Sequence, residues 1–211
     1  MAKNYTIVDE KLLVSGFFDV VEATTEFPSQ SGDGTVRTHP MMVMKRTPAA
    51  TIAVWDPELD VVLMIEEYRV GAALAGLEGE AAWPLSTIAG MVDEGEDPKE
   101  AIIREAEEEA GIQLDPENVV GPISTLPSAG GLAEIIHVFV GTADLSHLPR
   151  HSFHGLADES EEIKAMVMPR EEVMDYLLSG EHVVAGHCLQ AMFYLERKMP
   201  DLLPRPEMSN C

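Results

Sequence analysis

Apolar positions recur along this chain with two periods, and they divide it into strands and helices. Residues 20–27 alternate and are rich in β-branched side chains, which predicts a strand. Ser31, Gly32, Asp33 and Gly34 form a turn signal, and 35–44 runs back as a second strand. Apolar runs at 50–55 and 61–69 flank the turn residues Asp56, Pro57, Glu58, Leu59 and Asp60. Residues 70–84 are small and read as loop, and 85–89 as a short strand ending at Gly90. Strands are predicted again at 121–126, 135–140 and 163–168, with a polar loop at 142–162.

The 3.6-residue period is clearest at 97–110. Asp97 can cap the N-terminus, Pro98 suits the first helical position, and Glu100 sits three after the cap. Ile102, Ile103, Ala106 and Ala110 supply an apolar face, and Gly111 fits a left-handed C-terminal cap. Helices are also predicted at 170–178, stopped by Gly180, and at about 185–198, ended by Pro200. There is no internal repeat. The sum is an α/β protein with a mixed sheet between helices. It comprises a β arm at 1–47, a domain at 48–200 and a tail at 201–211.

Composition narrows the function. Of 211 residues, 37 are acidic and 14 basic, a net charge of -23, while 45% are hydrophobic, which excludes a disordered acidic chain. Such charge argues against nucleic-acid binding by phosphate neutralisation and against anionic membranes as partners. Cys188 and Cys211 make no disulfide framework. No apolar run reaches spanning length and the N-terminus has no apolar signal core, so a soluble cytoplasmic protein is expected.

Eleven of the 37 acids lie between Asp93 and Glu117. On the 97–110 helix, Glu105 shares a side with Glu108 and Glu109. Each like-charge neighbour costs roughly a few tenths of a kcal/mol on a bare helix. A solvated acidic face would tolerate this, but a hard divalent cation would remove it, and magnesium shares carboxylate oxygens with waters and phosphates. Arg104 is well placed to pair with Glu96, pinning the preceding loop to the helix.

The segment GMVDEGEDPKEAIIREAEEEAGI resembles the Nudix box, G-x5-E-x7-R-E-U-x-E-E-x-G-U, where U is aliphatic. All seven fixed positions match: Gly90, Glu96, Arg104, Glu105, Glu108, Glu109 and Gly111. A chance match in a chain this rich in Glu is on the order of one in 10⁵. The resemblance implies a Nudix fold, α/β/α, and hydrolysis of a nucleoside diphosphate linked to another group. It implies that Glu105, Glu108 and Glu109 bind Mg²⁺, with Mn²⁺ as a substitute, joined by the Ala89 carbonyl. Gly90, Glu96 and Gly111 would then be structural, and Arg104 would orient a Glu.

Three further features resemble the ADP-ribose and nucleotide-sugar pyrophosphatase branch. The arm is similar to one that forms a swapped sheet in a homodimer whose two chains build the adenosine site. The loop from Ser128 through Gly130 and Gly131 to Glu134 looks like the branch's S-P-G-G-x-x-E segment, whose Glu meets the terminal ribose; Ala129 replaces the Pro. The stretch from Gly155 to Ile163 resembles G-L-A-E-x-x-E-[DE]-I. By that likeness Glu159 is the general base and Glu161 assists the metal, with Glu162 the alternative base.

Arg69 matches a phosphate- or adenosine-side Arg of the branch, Met91 an edge of the ribose pocket, and Arg46 the remnant of an arm motif. The Glu usual before the box is absent, and Ser86 and Thr87 stand there. Trp55, Trp83, His137 and Cys188 read as core residues rather than ligands or nucleophiles. The implied reaction is hydrolysis of ADP-ribose to AMP and ribose 5-phosphate. The alternatives are another nucleotide sugar such as GDP-mannose, or a sensor that binds without cleaving.

Overall fold

The computed structural model describes residues 4–156 and 161–202. In chain order the strands begin with β1 (Thr6–Val14), β2 (Asp19–Pro28), β3 (Thr35–Arg37) and β4 (Met41–Lys45). There follow β5 (Ala49–Asp56), β6 (Val61–Glu67), the short α1 (Val70–Leu74), β7 (Leu85–Ser86), β8 (Ile88–Met91) and α2 (Pro98–Ala110). The chain continues through β9 (Val119–Thr125), β10 (Leu132–Ala133), β11 (Ile136–Thr142), β12 (His151–His154) and β13 (Ile163–Pro169) to α3 (Arg170–Leu178) and α4 (Gly186–Leu202).

These elements form two compact units. The first joins Met1–Pro48 to Leu126–Ile135, so the Ser128–Glu134 loop belongs with the arm. Its sheet runs β1-β2-β4-β10, with β3 off β2. The second takes Ala49–Thr125 and the chain from Ile136 onward. Its sheet runs β12-β13-β6-β5-β11-β9, with β7 beside β6 and β8 beside β5.

Strand alternation builds a three-layer α/β/α sandwich in the second unit. Ile52, Val54, Leu63 and Ile65 face one way and pack with Ala101, Ile102, Ala106 and Ala110 of α2. Ala53, Trp55, Val62 and Met64 face the other way, onto Val173 and Leu177 of α3 and Cys188, Met192 and Leu195 of α4. Helix α2 begins as its sequence predicts. The Asp97 carboxylate accepts from the Lys99 N–H at 2.8 Å, and Gly111 closes the helix at φ 65°.

Several expectations are revised. β1 was not predicted, because charges interrupt its alternation and all nine residues are exposed; pairing with β2 alone makes it a strand. The strand read over 35–44 is two pieces, broken at Thr38, His39 and Pro40, since Pro cannot donate to a ladder. The 70–84 loop contains α1 and a 3-10 turn, Gly79–Ala82, and the 142–162 loop contains β12, which pairs with β13. The short strand does not stop at Gly90: β8 continues to Met91 along β5. Helix α4 carries Pro200 inside its last turn rather than ending before it. Trp55 and Cys188 are core residues, whereas Trp83 is 46% exposed and stacks at a tilt on Tyr68.

Candidate active site

β8 and α2 place the box residues together in the second unit. Gly90 lies directly against the Glu105 side chain, and a Cβ there would overlap the carboxyl group. One turn on, Glu109 is 4% exposed and its Oε2 accepts from the Ala89 N–H at 3.0 Å. Two carboxylates are thus pressed onto the backbone of a strand. Gly111 is needed twice over, for its positive φ and because a Cβ would sit 2.8 Å from His154 Cε1.

Arg104 is the hub. Its Nη1 donates to Glu105 Oε1 at 2.9 Å and Glu108 Oε2 at 2.8 Å. Its Nε and Nη2 donate to Glu96 at 3.2 and 3.3 Å, and Nη2 also reaches the Met91 carbonyl at 3.2 Å. The loop after β8 is thereby pinned to α2, as the spacing suggested. Glu96 also accepts from the Asp93 N–H at 3.0 Å, and the Arg104 hydrogen bond holds its carboxyl below the usual range.

The deeper carboxylates behave otherwise. Burial pushes Glu105 up to about 7 against the opposing pull of Arg104, with Glu108 and Glu161 adding repulsion. Burial raises Glu109 well above its ordinary value despite the Ala89 N–H, and Glu105 and Glu67 raise it further while Arg69 opposes. Arg69, two residues past the end of β6, places Nη2 2.6 Å from Glu67 Oε2. Glu67 is raised by burial, lowered by Arg69 and raised by Glu161.

Six interacting carboxylates, Glu67, Glu96, Glu105, Glu108, Glu109 and Glu161, therefore surround two arginines, with Glu105 and Glu109 desolvated. Among the described residues no three acidic, His or Cys side chains converge as a ready-made metal cage, because Arg104 draws Glu105 and Glu108 to itself. The donor set nonetheless fits a hard divalent cation, being all carboxylate and short of positive charge.

The first unit holds a smaller cluster. Arg46 Nη1 lies 3.3 Å from Glu134 Oε1, and the Glu134 side chain is 6% exposed. Burial raises Glu134 and Arg46 opposes it. The guanidinium carbon of Arg46 is 5.4 Å from the ring centroids of both Phe17 and Phe18. The Ser128 carbonyl turns the loop by accepting from Gly131 and Leu132, and the Gly131 carbonyl accepts from Met44 of β4.

Of the residues singled out from sequence, Ala89, Gly90, Met91, Glu96, Arg104, Glu105, Glu108 and Glu109 form one bonded network. Arg69 and Glu161 couple to it electrostatically. Arg46 meets Glu134, while Gly130 has open space around it. Glu159 lies outside the described residues, and Glu162 is exposed. Glu67, Phe17 and Phe18 were missed. For Glu67 a signal existed: it continues the inward period of Leu63 and Ile65.

Comparisons with known proteins place the chain among relatives of one family. The NUDIX domain matches residues 45–187. The ADP-ribose pyrophosphatase of Haemophilus influenzae is 35% identical over 175 residues, covering 83% of this chain and 78% of that protein. The ADP-ribose pyrophosphatase of Escherichia coli K12 is also 35% identical, over 66% of this chain and 63% of its own. The GDP-mannose pyrophosphatase of Citrobacter koseri is 29% identical over 86% of this chain and 90% of its own. A solved structure described as an ADP compounds hydrolase superposes with TM-score 0.66 at 20% identity, covering 93% and 95% of the two chains.

Proposed function

The chain belongs to the NUDIX domain family, and from that membership we propose that this hydrolase cleaves the diphosphate of ADP-ribose, releasing AMP and ribose 5-phosphate. The observation that carries the reading is the pair Glu105 and Glu109, desolvated against the Gly90 and Ala89 backbone with too little positive charge around them. The H. influenzae pyrophosphatase supports the substrate.

Glu105, Glu108, Glu109 and Glu161, with the Ala89 carbonyl, would hold Mg²⁺. The bound ion would neutralise diphosphate charge and make a coordinated water more acidic. Arg104 keeps three carboxylates in register, so substrate meets a fixed array. Arg69 binds a phosphate oxygen, and Met91 borders the sugar. Glu159 takes the proton of the attacking water. Arg46, Ser128, Gly130 and Glu134 bind the ribose and adenosine ends. A homodimer formed through the arm is supported by its exposed Ile7, Leu12, Val14, Met41 and Met42. Buried, reduced Cys188 suits a cytoplasmic protein; sedimentation and fractionation test these two assignments.

GDP-mannose is the second reading, favoured by the long match to the C. koseri enzyme. Assay of the purified protein with Mg²⁺ against ADP-ribose, GDP-mannose, NADH and dinucleoside polyphosphates separates them by kcat/KM. Release of no monophosphate from any of them would sink the enzyme claim for these substrates. Tight ADP-ribose binding without turnover would make the protein a sensor.

A further inference from the structure

Glu67 is a carboxylate of this site that lies outside the box and that the motifs did not single out. On β6, Leu63 and Ile65 point into the core under α2, and Glu67 continues that face at the strand end. Its side chain is 13% exposed. Its Oε2 is closed to solvent, lies 2.6 Å from Arg69 Nη2, and is not aligned with any donor as a hydrogen bond. The contact is therefore an electrostatic grip on one terminal nitrogen. Glu67 approaches Nη2 alone, so it does not itself occupy the Nε or Nη1 N–H groups, which can donate to phosphate oxygens.

Arg69 needs such a restraint. It stands where β6 gives way to the five-residue α1, with extended backbone at φ -115°, and its side chain is 40% exposed. A long exposed arginine loses rotamer freedom when it binds an anion, and a buried carboxylate that already restrains it removes part of that loss.

We propose that Glu67 is a positioning residue that holds the Arg69 guanidinium at the carboxylate site so that its remaining N–H groups meet a substrate phosphate. This rests on the reading of Arg69 as a phosphate ligand. Burial raises Glu67 and Arg69 offsets it, as expected of a carboxylate whose partner is this arginine.

The test is ADP-ribose kinetics on Glu67→Ala, Glu67→Gln, Glu67→Asp, Arg69→Ala and Glu67→Ala with Arg69→Ala. Glu67→Ala should raise KM about tenfold and lower kcat by less. Glu67→Gln keeps the shape but removes the charge that grips Arg69, and should raise KM nearly as much as Glu67→Ala. Glu67→Asp retracts the carboxylate by one carbon and should raise KM even if the alanine variant fails to fold. The double variant should be no worse than Arg69→Ala, because the two act as one unit. Manganese affinity, read by electron paramagnetic resonance, should hold within about twofold in Glu67→Gln and Glu67→Asp. Additive KM effects, or an unmoved KM in both Glu67→Ala and Glu67→Asp, overturn the proposal. Lost manganese affinity with KM unmoved also overturns it, by assigning Glu67 to the metal. A wild-type protein that releases no monophosphate overturns the diphosphatase reading itself, a result visible before any variant is made.

Discussion

Arg104 meets half-buried glutamates and Arg46 a buried one, on different charge terms. Arg104 is shared among Glu96, Glu105 and Glu108, with Glu109 buried nearby. Arg46 faces Glu134 alone and is flanked by Phe17 and Phe18. The first arrangement is short of positive charge and asks for a cation. The second is balanced one to one and lined with rings, which suits recognition of a neutral sugar or a base. Excess charge marks the proposed chemistry, and balanced charge marks the proposed recognition.

Four experiments press on that contrast. Glu105→Gln and Glu109→Gln should have the largest effect, lowering kcat by about 10³-fold or more while magnesium binding weakens. Each keeps the side-chain shape and removes a costly charge, so neither should melt below wild type in EDTA. A near-normal kcat in Glu109→Gln would reduce the acidic site to a stabilising ion site. Next, Glu159→Gln should slow turnover about 10²-fold or more and leave magnesium affinity nearly intact. Full activity would move the base to Glu162 or a box glutamate.

Substitutions in the balanced pair should be milder and of another kind. Arg46→Ala and Glu134→Gln should raise KM for ADP-ribose about tenfold with a smaller loss of kcat. If they abolish kcat at saturating substrate, the division between chemistry and recognition fails.

The smallest effect concerns stability against pH. Glu105 is held at about 7 against an ordinary 4.5, so between those values the folded chain binds more protons than the unfolded one. Its contribution to stability therefore falls as pH rises through that window; Glu109, also raised by burial, adds a fall of the same sign. Metal-free protein should lose a few degrees of melting temperature from acid to neutral pH, and magnesium should restore them. A flat metal-free profile would show that these carboxylates are better solvated than their burial implies.

Local chemistry wrote some of this plainly in the chain. A capping Asp97, Pro98, a 3.6-residue apolar period and Gly111 predict α2 to its ends, because each acts within a few residues of itself. The box spacing then puts Arg104 within reach of Glu96, Glu105 and Glu108, since one helix and one short loop set those distances. Other features have no local cause. β1 exists only because β2 offers it a ladder, and Arg46 finds Glu134 only because β10 pairs with β4. Glu67 continues the alternation of Leu63 and Ile65, but which face of β6 turns inward is decided only when the strand takes its place in the sheet. What a few neighbouring residues impose, the sequence determined by itself. Which distant residues meet, and which carboxylates lose their water, was decided by tertiary structure, because desolvation depends on everything packed around a group.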